Sequence, residues 1–189
     1  MGKIAIQALV NTMGVSVAAA FAVVNRIDDF AITPEQNIAH AMTALMAQNK
    51  GAGKNDRMRE GFRCGMILEI VYGAAVMVIC QVFAGELMAL FVKDEEVIGH
   101  GVIYLHLIAV MYILPAVTNA IQGFFRGIGK ISVPVIGSTL HISIRVVLSY
   151  LLIGRMGLEA VAFATGIGWI SVVLYQILVY RKVRKKGFI

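Results

Sequence analysis

The sequence predicts an all-α membrane protein, a helical bundle that crosses the bilayer several times. Two observations carry this prediction: apolar runs of spanning length, and basic residues gathered at the ends of those runs. The chain of 189 residues is 59% hydrophobic and only 15% charged, against roughly 25% charged in soluble domains. Its mean hydropathy is +0.80. Residues 160–180 and 70–84 contain no charged side chain, residues 101–125 carry only His106, and residues 131–153 carry only His141 and Arg145. A hydrocarbon core of ~30 Å takes about 20 helical residues. A closed barrel would need alternating apolar and polar residues, and these runs do not alternate.

Six segments follow in order. Residues 1–14 are apolar but too short to span, and read as a partial helix. Residues 17–49 are the first spanning helix, interrupted by Arg26, Asp28, Asp29 and Glu35, with a kink expected at Pro34. Spanning helices are expected over residues 64–91, over 97–125 with Pro115 inside, over 134–154 and over 158–180. Pro134 suits the first turn of a helix. Residues 181–189 form a basic tail. A first segment of half-span length predicts a truncated or split protein.

Charge then sets orientation. Lys50, Lys54, Arg57, Arg59 and Arg63 follow the first span, Arg126 and Lys130 follow the third, and Arg181, Lys182, Arg184, Lys185 and Lys186 follow the last. Those connections fall on one side and hold twelve basic residues, against Lys93 and Arg155 on the other. The positive-inside rule therefore predicts a cytoplasmic C-terminus, with the tail against anionic lipid. The net charge of +6 is thus a topology signal, and no nucleic-acid partner is expected. No signal-peptide or myristoylation pattern opens the chain.

Reactive constellations are sparse. Lys50-Gly51-Ala52-Gly53-Lys54 resembles a phosphate loop only superficially. Asn55 stands where Ser or Thr is required, Ala47 takes the first glycine position, and no strand precedes. A glycine-capped helix end fits better. Cys64 and Cys80 read as packing residues. His40, His100, His106 and His141 lack metal-ligand spacing. No enzyme, metal site or cofactor is predicted.

Polar residues at membrane depth are the informative ones, because they usually face the bundle interior or a water-filled cavity. Glu35, Gln36 and Asn37 lie deep in the first span, and a carboxyl such as Glu35 is a candidate proton carrier there. Arg26 and Asp29 share a helix face and can pair, either as an outer polar cap with Asp28 or as part of a site. Arg145 sits mid-span, for a structural ion pair or for an anionic substrate. Asn119 and Gln122 suit interhelical hydrogen bonding. Glu69 is expected to reach the interface.

Three stretches in this order resemble the multidrug and toxic compound extrusion (MATE) family. The first is Val10-Asn11-Thr12-Met13-Gly14 with Ala18-Ala19-Ala20 and Asn25-Arg26-Ile27-Asp28. The second is Ala47-Gln48-Asn49-Lys50-Gly51-Ala52-Gly53-Lys54, then Arg57. The third runs from Asn119 to Gly123, then Phe125-Arg126-Gly127-Ile128-Gly129-Lys130, Pro134, and Arg145-Val146-Val147-Leu148-Ser149-Tyr150. Gly157-Leu158-Glu159-Ala160-Val161-Ala162 is similar to the family's short turn before its last helix.

The resemblance implies the C-terminal lobe of a twelve-helix transporter, comprising part of helix seven and helices eight to twelve. It implies export of drugs, organic cations or other amphipathic compounds in exchange for H+ or Na+, with the N-terminal lobe supplied separately. The helix-ten carboxylate of some members has no counterpart, since residues 97–125 contain no Asp or Glu. A lipid-linked-oligosaccharide flippase of the same superfamily and a non-transporting membrane scaffold are the alternatives.

Overall fold

A computed structural model describes the backbone of residues 2–185 and the side chains through Val183. It contains α1 (Gly2–Asn11), α2 (Val15–Gly51), α3 (Asn55–Val82), α4 (Ala84–Ala89), α5 (Glu95–Ala109), α6 (Ile113–Gly127), α7 (Ser132–Met156) and α8 (Glu159–Lys185). No strand occurs among the described residues. The end of the expected basic tail, residues 186–189, lies outside the described residues, and so does Met1.

α3, α7 and α8 are each long and apolar enough to cross a membrane, and α5 with α6 makes a fourth span if the bent pair is one. α2 is the longest helix at 37 residues, about 55 Å at a rise of ~1.5 Å per residue. It is not among those spans, because Arg26, Asp28, Asp29 and the polar Pro34-Glu35-Gln36-Asn37 stretch fall in its middle. Large apolar side chains such as Val78, Leu151 and Leu174 remain exposed, as lipid-facing positions should.

Several boundaries differ from the sequence expectation. The span expected over 64–91 starts at Asn55 and divides at Phe83 into α3 and α4. Arg57, Arg59 and Arg63, expected in a connection, ride on the exposed first turns of α3, where long basic side chains reach water. The span expected over 97–125 divides into α5 and α6, which meet at 50°. Pro115 explains the break. A helix would bond the residue-115 N–H to the Met111 carbonyl, and proline has none to give. The Leu114 N–H takes that carbonyl instead, at 2.8 Å. By contrast α2 runs through Pro34 as one helix, its N-terminal half meeting α5 through Phe21 and Tyr104 and its C-terminal half meeting α6 through Thr43 and Gly123.

The three basic connections share one end of the bundle. The Lys50 ammonium donates to the Ile128 carbonyl at 2.6 Å, which ties the α2–α3 turn to the α6–α7 turn. Tyr180, near the end of α8, stacks on Phe62 of α3 with ring centroids 5.1 Å apart. The two turns are built alike. Gly53 and Gly129 take positive φ, 68° and 78°. In each turn the glycine and the following lysine donate to Lys50 and Asn49, or to Arg126 and Phe125, the bonding pattern of a Schellman cap. The phosphate-loop look of residues 50–54 is therefore a helix terminus.

The core has two apolar halves. One gathers Phe21, Val24, Ile27, Tyr104, Leu105 and Ile108. The other, toward the basic end, gathers Met46, Met58, Ile121, Phe124, Phe125 and Ile128. Small residues bring α2 and α6 together between them: a Cβ on Gly123 would lie 2.6 Å from the Ala39 carbonyl oxygen, and Thr43 donates to the Gly123 carbonyl at 3.2 Å.

Candidate functional site

A cavity of about 470 Å³ lies between α1, α2, α7, α8 and the α5–α6 bend. Its charged lining is Lys3 of α1, Asp28 and Asp29 of α2, and Arg145 of α7. Asn25, Gln36, Asn119 and Thr165 add neutral polar groups, and Ile32, Ile108, Met111 and Pro115 add apolar wall. A second hollow of about 460 Å³ adjoins it and shares Lys3, Asn25, Asp29 and Arg145.

Each polar group is held differently. Tyr112, which is buried at the bend, donates its hydroxyl to Asp28 Oδ1. Asp29 is paired with Lys3 at 2.8 Å, and both side chains are about two-thirds exposed, so the pair adds little stability. Arg145 lies within electrostatic reach of Asp28, and its Nε has no hydrogen-bond partner. His141 stacks on Trp169, with ring centroids 4.1 Å apart and planes at 27°. Gly168 permits that closeness, since a Cβ there would meet His141 Cδ2 at 2.7 Å. The cavity thus offers carboxylates, one guanidinium and a flat aromatic wall to a small molecule.

Of the residues named from sequence, Asp29, Gln36, Asn119 and Arg145 line this cavity. Glu35 does not. It is 1% exposed, and Asn119 Nδ2 donates to its Oε2 at 3.1 Å, so Asn119 joins the cavity to a buried carboxyl behind it. Asn37 is exposed on α2 and is absent from the cavity wall. Gln122 accepts from Arg126 at 2.7 Å toward the basic end. The expected Arg26–Asp29 pair is replaced by Lys3–Asp29, because the fold returns α1 beside α2 and leaves Arg26 exposed. Glu69, expected at the interface, is fully buried, because its face of α3 packs inward.

Sequence reasoning missed Lys3, Tyr112 and the His141–Trp169 stack as site elements. Pro115, three residues after Tyr112, was the available signal that the helix breaks there and turns a tyrosine inward. Nothing local marks Lys3, whose place depends on the return of α1.

The MatE family model matches residues 1–151. The chain belongs to the MATE transporter family. "Probable multidrug resistance protein YoeA" of Bacillus subtilis is 26% identical over 144 residues, covering 75% of this chain and 31% of that protein. "Probable multidrug resistance protein NorM" of Thermotoga maritima is 24% identical over 110 residues, covering 58% and 24%. The chain therefore spans about a third or less of these relatives' lengths. A crystal structure of a MATE protein in the straight conformation superposes with a TM-score of 0.91 at 16% identity, covering all of this chain and 42% of that one. A superfamily transporter from Pyrococcus furiosus superposes at 0.84, with 16% identity, covering 93% and 39%. At such identities the structural likeness concerns the fold: the MATE chain described here has the fold of part of those transporters.

Proposed function

We propose that the chain acts as the C-terminal lobe of a secondary antiporter that exports amphipathic organic cations or drugs. The observation carrying this reading is the pairing, in one cavity, of the Asp28 and Asp29 carboxylates with the stacked His141–Trp169 wall. Carboxylates and aromatic faces together suit a flat cation, and apolar walls suit its hydrophobic body. The multidrug names of the relatives support the same substrate class. Exchange for H+ or Na+, with rocking of this lobe against an N-terminal lobe, is the coupling we assign.

The basic residues at one end of the bundle support a cytoplasmic C-terminus in a bacterial plasma membrane. The polar cavity argues against a purely scaffolding role. Arg145 and Lys3 favour a second reading, a flippase for anionic lipid-linked sugars, since both face the same cavity.

Efflux of a fluorescent organic cation from cells carrying the complete transporter tests the choice. Under the exporter reading Asp28→Asn lowers efflux by about tenfold or more, some 1.4 kcal/mol of lost interaction, while Arg145→Gln costs less. The reverse order, or no cation efflux by the unaltered transporter, would favour the flippase.

A further inference from the structure

Between the two apolar halves of the core lies a thin polar layer with no basic group in it. Glu35 comes from α2, Glu69 from α3 and Asn119 from α6. Glu69 is 0% exposed, and neither of its carboxyl oxygens has a hydrogen-bond partner. Its position relative to Glu35 follows from the helix contacts. A Cβ on Gly73 would lie 2.9 Å from Ala116 Cβ and 3.6 Å from Glu35 Oε1. Glu69 is one turn from Gly73 toward the basic end along α3, and Asn119 is about one turn from Ala116 toward the same end along α6. The two therefore stand at one level, beside Glu35, which places the Glu69 carboxyl within electrostatic reach of Glu35.

Two carboxylates cannot both remain ionised there without a counter-charge, because an unpaired buried charge loses its hydration and a like-charged neighbour adds repulsion to that. Among the described residues no lysine, arginine or histidine pairs with either group. Tyr72 of α3 is the other titratable side chain within reach of both, and Asp28 lies two turns away on α2, facing the cavity. α6 carries no titratable group from Ile113 to Gln122. Among the described residues no three acidic, histidine or cysteine side chains converge as metal ligands, and one proton removes the repulsion by leaving a single negative charge shared by the pair.

We propose that Glu35 and Glu69 hold one proton between them, at a site reached from the cavity through Asn119. Uptake is simple protonation of one carboxylate to a carboxylic acid, with the proton drawn from water on the cavity side. Use of this proton in coupling rests on the exporter reading above; the shared proton does not.

Infrared spectroscopy of the chain in lipid nanodiscs tests the site, since a protonated carboxyl has its own C=O stretch. At neutral pH the wild type should show one buried protonated-carboxyl band, the same in sodium and in choline buffer. Glu35→Gln with Glu69→Gln should lose it. Asn119→Leu should keep the band but slow its exchange into D2O. Absence of the band in the wild type, its loss on adding sodium, or its persistence in the double variant would each overturn the proposal. The wild-type arms do not depend on any variant folding. Failure of cation efflux in cells with an intact band would refute the exporter reading alone.

Discussion

Asp28 and Glu35 stand seven residues apart on α2, two turns along one helix face, yet they occupy opposite environments. Asp28 opens on the cavity, takes a hydrogen bond from Tyr112 and has Arg145 within reach. Glu35 is closed off, with Asn119 as its donor and a second carboxyl as its neighbour. The cavity runs along α2 from Asn25 past Asp28 and Ile32 to Gln36, whereas the Glu35 side chain turns to Gly73 of α3 and Asn119 of α6. Neighbours on other helices thus assign different surroundings to two acids on one helix.

The largest expected effect comes from breaking the seal between the two levels. Gly73→Leu would wedge α3 away from Ala116 and the Tyr112 carbonyl, and overpacking of this kind costs about 3 kcal/mol. A clear drop in the thermal unfolding temperature in detergent should report it; an unchanged midpoint would mean the contact is soft. Asn119→Leu comes next, since it strips Glu35 of its donor inside the bundle, at about 2 kcal/mol. Tyr112→Phe removes the equivalent donor from Asp28, but water in the cavity can replace it, so about 1 kcal/mol is expected. Equal losses in these two variants would show that the sites are equally wet, and would end the comparison. The smallest effect belongs to Lys3→Met, below about 1 kcal/mol, because the Lys3–Asp29 pair is mostly exposed.

Much of the fold was legible in the residues. Uncharged runs identify the spans because the bilayer interior tolerates neither open backbone nor many charges. The glycine turn at residues 50–54 was readable as a helix end, and its cap bears that out; the matching cap at Gly129 emerged only from the structure. Boundaries were harder. The start of α3 at Asn55 escaped a hydropathy reading because a helix continues past the bilayer wherever its backbone bonds continue. The candidate site was legible only in part. Asn119 and Arg145 stood out as polar residues in apolar runs, and both reach the cavity. Spacing alone paired Arg26 with Asp29, whereas the return of α1 supplied Lys3.

Membrane residence, helical class and the charge asymmetry between the ends are local properties, and the sequence by itself determined them. Which carboxyl faces a cavity, which is buried beside another, and which aromatic rings stack are non-local, and only the tertiary structure decided them. The physical reason is that these contacts join helices distant in sequence, and the break at Pro115 is one case. The proline names where a helix loses a hydrogen bond, but the direction of the resulting bend depends on the helices packed against it.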